Sequence, residues 1–373
     1  RFKAFIYAIL FYWKTQIIPT LIYDINIHNI EKALKIILNN GLKRAYFYEN
    51  NRLKEQGYRK SPITERISIQ KIITIQKSLW NYDFRKNNSV FNNDYFKLIE
   101  MRLFISIQYW NWDRLSDLMS IQLGHLYFKE CEEINFIPNN TTIGLEIFYN
   151  ESKNLKLWET HTIYSIRSNE PENCLITNLL IYLWFRFNIF NELLLYNHHE
   201  QTSPEHWSKV YLFHSKNNPW TQCCRSTLYH HMRDILSYNN LEHVPWVTHL
   251  LRKSIPSNIL RKNPSLLDYV KRRGWSKMDN KDSFFKYIDF SAPKELLLLL
   301  GNYDILKPIL TREFDVNEEY LEILWPLTSN NILNEFIIIG RKILFQDLIS
   351  LWSKYPNDEL WIYLNRFIGN DNF

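Results

Sequence analysis

Two side chains that bind phosphate lie three residues apart in the segment His249-Leu250-Leu251-Arg252. This spacing places an imidazole and a guanidinium on one face of a helix. Both groups donate hydrogen bonds to phosphate oxygens, and a guanidinium donates two at once. Trp275, an indole N–H donor, and Tyr287, a phenol able to attack phosphorus, follow downstream. The set predicts a site for a phosphodiester.

Two more residues complete this set. Arg114 begins a predicted short helix, in which Asp117 is expected to orient the guanidinium. Lys153 lies in the polar turn of a predicted hairpin, from which an ammonium can protonate a leaving oxygen. Metal-free strand transfer on DNA needs two guanidiniums, further donors, an in-line nucleophile and an acid. Taken singly, Arg114, His249 and Arg252 are as typical of a structural role as of a reaction site, and Lys153, Trp275 and Tyr287 are more typical of a structural role. The prediction therefore depends on their order and combination.

Charge is distributed unevenly along the 373 residues, whose net charge is +6. Residues 1–95 hold 16 basic and 7 acidic side chains, residues 96–292 hold 22 and 20, and residues 293–373 hold 7 and 12. A basic front and an acidic tail favour a polyanion bound by the first two regions. A lysine-rich solvated surface is the alternative.

Basic residues interleaved with tyrosines between positions 43 and 77 are typical of phosphate contacts, although an ordinary solvated helix face has the same composition. A second basic cluster surrounds the His249–Arg252 segment. The residues expected to contact DNA are Lys43, Arg44, Arg59, Lys60, Lys253, Lys271, Arg272 and Arg273.

The sequence argues against a membrane span, a metal and a cofactor. The apolar segment 175–196 is interrupted by Asn178 and Arg186, which favours a buried helix of a soluble domain, and segment 4–13 is too short to cross a bilayer. Four cysteines at no disulfide-like spacing indicate a reducing compartment. Cys223 and Cys224 are adjacent, unlike the spaced pairs of zinc sites, so core packing is expected for them.

Hydrophobic periodicity predicts a mainly α-helical chain with a small antiparallel β-sheet, an α+β fold. Three regions are expected: a helical region 1–95, a mixed region 96–292 and a helical acidic extension 293–373. Because the chain opens on Arg1, we expect residues to precede it. Helices are predicted at 67–79, 95–109, 174–188, 222–238, 248–261 and 265–271, and strands at 125–129, 144–149 and 162–166.

The order Arg114, Lys153, His249-x-x-Arg252, Trp275, Tyr287 resembles the catalytic domain of tyrosine recombinases and integrases. Residues 1–95 would correspond to part of that family's core-binding domain. Fungal Crypton-type recombinases are similar in segments 172–187, 274–275 and 292–301. The DNA-binding subunit of the budding-yeast point-centromere complex, a domesticated member of the same fold, is similar in segments 16–20, 324–326 and 355–370.

The resemblance implies double-stranded DNA as partner, a nuclear location, a homodimer and contacts with other kinetochore proteins. Its leading implication is a non-catalytic scaffold in which residues 1–95 and 96–292 clamp duplex DNA, with Arg114, Lys153, His249 and Arg252 on phosphates. The alternative is an active recombinase, in which Tyr287 forms a 3′-phosphotyrosyl link and Lys153 is the acid. The interval of twelve residues from Trp275 to Tyr287 is longer than in many members. A helical protein-interaction scaffold without DNA contact is a third class.

Overall fold

The computed structural model describes residues 67–83, 94–112, 114–131, 142–149, 161–192, 205–215, 218–241, 247–270, 293–303, 314–328 and 331–369. These residues belong to one compact unit, Arg66–Phe373. Predictions for residues 1–66 and 271–292 lie outside the described residues.

The described part of the chain is mainly helical with small antiparallel sheets, which confirms the predicted fold class. Its helices are α1 (Ile69–Trp80), α2 (Tyr95–Asn111), α3 (Leu115–Met119), α4 (Leu175–Trp184), α5 (Glu205–Ser208), α6 (Arg225–Tyr238), α7 (Val247–Lys262), α8 (Leu267–Val270), α9 (Lys294–Leu300), α10 (Glu318–Leu324), α11 (Asn331–Lys354) and α12 (Leu360–Ile368). Its strands are β1 (Leu126–Cys131), β2 (Thr142–Tyr149), β3 (His161–Ile166), β4 (His214–Ser215) and β5 (Asn218–Gln222).

The three predicted strands form one antiparallel sheet in the order β1-β2-β3. Leu145 and Ile147 on β2 are fully buried, whereas Glu146 between them is half-buried. Ile163 on β3 pairs with Ile147 and is also buried. The alternation that predicted these strands therefore directs one face of the sheet into the core.

The apolar helix α4 is the centre of the core, and every one of its residues is buried. Its one amide, Asn178, donates to the Ser106 hydroxyl on α2 at 3.1 Å and to the Cys174 carbonyl at 2.8 Å. The chain continues as a π-helix, Phe185–Ile189, that contains Arg186. The guanidinium of Arg186 donates two hydrogen bonds of 2.6 Å to Glu192. Asn178 and Arg186, which interrupt the apolar segment, thus have hydrogen-bond partners inside the protein, and this confirms the predicted buried helix.

Among the described helices, none combines the length and apolar character needed to cross a membrane.

The C-terminal helices share this core with α2 and α4. Arg167, just after β3, donates to Asp347 on α11 at 2.6 Å, and both side chains are buried. α11 passes α4 so closely that a Cβ added at Gly340 would come within 2.7 Å of the Leu180 side chain. The acidic extension is therefore an integral layer of the described unit. The division of the chain at residues 95 and 292 stays a prediction.

Candidate nucleic-acid interface

Helix α7, which carries His249 and Arg252, is fixed to the start of α1 by two polar side chains. The Ser254 hydroxyl accepts a hydrogen bond from the Ile67 N–H at 3.1 Å, and the Asn258 amide donates to the Ile67 carbonyl at 2.9 Å. These contacts satisfy backbone groups that precede the first turn of α1. The buried side of α7 consists of Leu250, Leu251, Ser254, Ile255, Pro256 and Ile259.

This burial pattern determines where the basic residues of α7 lie. Arg252 and Lys253 are half-buried, and Arg261 and Lys262 at the C-terminal end of the helix are exposed. His249 lies on α7 three residues before Arg252, as predicted, while its side chain is outside the described part. The helix therefore directs its basic side chains away from the core.

Arg114 lies at the turn that joins α2 to α3. Buried Trp112 ends α2 in the left-handed conformation, with φ of 41°, and its N–H donates to the Gln108 carbonyl at 2.9 Å. Arg114 is the N-cap residue of α3, and its carbonyl accepts from the N–H groups of Asp117 and Leu118 at 3.0 and 3.1 Å. These hydrogen bonds fix the backbone of Arg114, a half-buried residue, and so fix the point from which its guanidinium extends.

Asp117, the predicted partner of Arg114, is buried and accepts a hydrogen bond from the Ser116 hydroxyl at 3.1 Å. That Asp117 orients the Arg114 guanidinium stays a prediction. α7 packs against α2, whose C-terminal end leads directly to Arg114. The segments of the two predicted phosphate-binding arginines thus belong to one packed group of helices. Their convergence on a single phosphate stays a prediction.

The other predicted site residues fall outside the described ranges. These are Lys153, Trp275 and Tyr287 of the reaction set, and Lys43, Arg44, Arg59, Lys60, Lys271, Arg272 and Arg273 of the DNA-contact set.

The sequence interpretation missed one basic surface, the outer face of α6. Arg225 and Tyr229, four residues apart, are exposed, and Arg233 one turn later is half-buried. His230 beside them is exposed, with its ring 5.8 Å from that of Tyr229. Guanidiniums bind phosphates, and a tyrosine among them can pack against sugars. α6 packs against α7, so the two basic helices are neighbours.

The pattern of Arg225, Tyr229 and Arg233 at intervals of four was the signal for this surface. Buried residues of α6 alternate with it: Leu228, Met232, Ile235 and Leu236.

An ionic cluster around Glu192, formed with Arg186 and His214, fixes the chain segment that leads into α6. Arg186 donates to the carbonyls of Tyr211 and Leu212 at 3.2 and 3.0 Å, just before β4. Burial opposes the ionisation of Glu192, yet hydrogen bonds and charge from Arg186 hold the pKa of this carboxyl well below its ordinary range. His214 on β4 lies 3.5 Å from the same carboxylate. The hairpin β4–β5, which leads into α6, is thus fixed to the end of α4.

Glu100 on α2 and His231 on α6 form the polar contact between these helices. Burial, followed by the charge of Asp94, raises the pKa of Glu100 to about 7. Burial also lowers the pKa of His231, whose Nδ1 lies 4.0 Å from the Glu100 carboxylate. The charge of this contact therefore changes near neutral pH.

In the ranges that the structure covers, no three His, Cys, Asp or Glu side chains lie in an arrangement that could hold a metal ion. Cys223 is half-buried, and burial raises the pKa of its thiol to about 11. Cys224 is exposed, and hydrogen bonds from Ser226 lower its pKa.

Comparison with solved structures identifies the fold. The structure of Ndc10, described as a platform for inner kinetochore assembly in budding yeast, superposes with a TM-score of 0.51 at 13% sequence identity. The match covers 81% of this chain and 66% of that one. The chain has the fold of Ndc10. This confirms the predicted resemblance in fold to a budding-yeast kinetochore protein.

The chain spans about two thirds of the Ndc10 structure. The FLP recombinase in a Holliday-junction complex matches with a TM-score of 0.40 at 17% identity, over 90% of this chain and 72% of that one. That score is too low for further argument. No family model and no curated protein matches the sequence.

Proposed function

We propose that this chain is a nuclear DNA-binding protein that holds duplex DNA through phosphate contacts and acts as a centromere or kinetochore-type scaffold without cutting the DNA. The observation that carries the proposal is the pair of packed helices α6 and α7, whose basic residues face outward on the fold of Ndc10. Arg225, Arg233, Arg252 and Lys253 supply phosphate-binding groups in this pair.

The composition of this face favours phosphate over base recognition. Its charged side chains are mostly arginine and lysine, which bind phosphate oxygens irrespective of sequence. The acidic C-terminal helices would repel the same polyanion, so DNA is expected on the α6–α7 side. Residues 1–95 and the cluster 271–273 are expected to add contacts, and a homodimer would place two such faces on one DNA molecule.

The test is the salt dependence of binding to a labelled duplex of about 30 base pairs. The logarithm of the association constant should fall linearly with the logarithm of salt concentration, with a slope of about −0.9 per phosphate neutralised. Four contacts from the α6–α7 face alone would give a slope of about −3.6. A slope near zero would contradict the proposal.

An active recombinase is the second candidate function, favoured by the packing of α7, which carries His249 and Arg252, against α2, the helix that precedes Arg114. In that case the Tyr287 hydroxyl passes its proton to water and its oxygen attacks the scissile phosphorus. The 3′-phosphotyrosyl bond forms as the bond to the 5′ oxygen breaks, and that oxygen leaves with a proton from Lys153. Arg114, His249, Arg252 and Trp275 would stabilise the charge that develops on the phosphate oxygens.

A nicked suicide duplex separates the two candidates. The active enzyme gives a covalent protein–DNA adduct that Tyr287→Phe abolishes and Tyr127→Phe, a change of an exposed tyrosine on β1, leaves intact. The scaffold gives no adduct with either form while it still shifts the duplex in a gel.

A further inference from the structure

Helix α11 has a second apolar side, most of which is exposed. Its buried side includes Ile337, Leu344, Leu348 and Leu351. A separate stripe runs along the exposed side at intervals of three, four and seven residues. Its members are Ile338, 49% exposed, half-buried Phe345, Ile349, 51% exposed, and Trp352, 44% exposed. Lone apolar residues on a surface are ordinary, whereas several that repeat at these intervals along one helix are typical of helix pairing.

Helix α10 widens this stripe into a surface. The ring of Tyr320, 56% exposed, stacks on Phe345 with centroids 6.2 Å apart. Ile323, one turn later on α10, is 45% exposed. We call these residues of α10 and α11 the α10–α11 surface.

Ion pairs hold α10 and the residues before it in place. Glu318 pairs with the buried Arg341 of α11, and Asp315 pairs with Lys342 at 3.2 Å. Because α10 is fixed to α11 at several points, the apolar side chains are presented in a defined arrangement.

The residues that border the α10–α11 surface are acidic. Glu319 and Glu322 on α10 and Glu335 on α11 are all exposed. The exposed cation on the stripe itself, Lys342, lies in the ion pair with Asp315. An apolar strip bordered by carboxylates is complementary to a helix with one apolar face and basic flanks.

We propose that the α10–α11 surface binds a basic amphipathic helix of a partner protein. The stripe from Ile338 to Trp352 rises about 21 Å, at about 1.5 Å per residue, which matches a partner helix of four turns. Apolar residues of that helix, spaced three and four apart, pack between Tyr320 and Ile349. Its lysines and arginines lie beside Glu319, Glu322 and Glu335. This interaction is additional to DNA binding, because the carboxylates of this surface repel a polyanion.

A second copy of this chain is a poorer occupant. Pairing of two α10–α11 surfaces brings two sets of the same carboxylates together, and like charges oppose such an interface. A basic helix turns those carboxylates into attractive partners.

The test uses the full chain and two fluorescent 18-residue peptides with leucines at heptad positions. One carries lysines at the flanking positions, and the matched peptide carries glutamates there. We expect saturable binding of the basic peptide and at least tenfold weaker binding of the acidic peptide, measured by anisotropy at 0.15 M salt. Ile338→Ser and Ile349→Ser should each weaken binding about tenfold, as removal of a buried aliphatic side chain predicts. Glu319→Lys with Glu322→Lys should weaken it further.

The control is Leu267→Ser, which alters an apolar side chain on α8 that is 42% exposed. It should leave peptide binding unchanged, and circular dichroism melts should show that all variants fold. Absence of binding, equal affinity for both peptides, or equal losses with Leu267→Ser would overturn the proposal. Sedimentation velocity adds one more outcome: a dimer that Ile349→Ser dissociates would assign the surface to a second copy instead.

Discussion

Arg102 on α2 and Asp358, between α11 and α12, form a buried ion pair across 256 residues of sequence. The Tyr95 hydroxyl donates to the other oxygen of the same carboxylate. The guanidinium also lies 3.9 Å from the centre of the Trp80 ring, a cation–π contact. One arginine thus connects α1, α2 and the last two described helices.

Removal of Asp358 should be strongly destabilising. Asp358→Ala leaves the Arg102 guanidinium buried without its countercharge, which costs about 3–5 kcal/mol of unfolding free energy. Urea unfolding followed by circular dichroism measures this loss. The control is Asp315→Ala, which removes a solvent-screened pair of an exposed carboxylate with Lys342 and should change the free energy of unfolding far less. Equal effects of the two changes would refute the role assigned to the buried pair.

Ser254 should matter because of the backbone group that it satisfies. Ser254→Ala leaves the Ile67 N–H without its acceptor, which costs about 1–3 kcal/mol of unfolding free energy. Ser257→Ala on the same helix is a matched control, since the Ser257 hydroxyl donates within α7, to the Lys253 carbonyl. If both variants unfold at the same urea concentration, the link between α7 and α1 does not stabilise the protein.

Glu100 should make stability depend on pH between about 4.5 and 7. The folded-state pKa of about 7 lies above the ordinary value of 4.5, so the protonated carboxyl is favoured in the folded protein. Its contribution is fully present below pH 4.5 and is lost as pH rises through 7. Over this range the wild type should lose roughly 3 kcal/mol of unfolding free energy relative to Glu100→Gln. Parallel pH profiles of the two proteins would contradict the prediction.

Charge reversal on α6 should weaken DNA binding. Arg225→Glu removes one phosphate contact and adds repulsion, so affinity at 0.1 M salt should fall roughly tenfold and the salt slope should decrease by about one. Gel shifts and anisotropy at several salt concentrations measure both quantities. Arg366→Glu, at an exposed position on α12, should have a far smaller effect. Equal losses for the two variants would mean that general charge, rather than the α6 face, determines binding.

The elements that the sequence predicted well are those whose periodicity is complete within one segment. α4 is apolar on nearly every side, and β2 alternates between apolar and polar residues. The order of residues in each element therefore predicts which of them are buried. The hairpin β4–β5 escaped prediction for the opposite reason. β4 has two residues and β5 contains Pro219, which argues against a strand. Tertiary contacts of Arg186 and Glu192 hold the connection in place.

The same distinction applies to the candidate site, of which some features are visible in the local sequence and others depend on tertiary contacts. The order of Arg114, His249 and Arg252, together with the other members of the set, carried the resemblance from which the fold was predicted. The face of α6 depends on which of its residues are buried, and the anchoring of Asn258 to Ile67 spans 191 residues. Neither relationship is visible in a local pattern.

The close approach of Gly340 to Leu180 has a practical consequence for dissection of the molecule. A fragment that ends before Lys294 would lack the C-terminal helices that pack on α4, and leucines and tryptophans of the core would be exposed to water. Such a fragment should aggregate, and limited proteolysis should remove it quickly. A minimal fragment for a test of the proposed DNA contacts therefore has to retain the last helices, although their net negative charge would oppose contact with DNA.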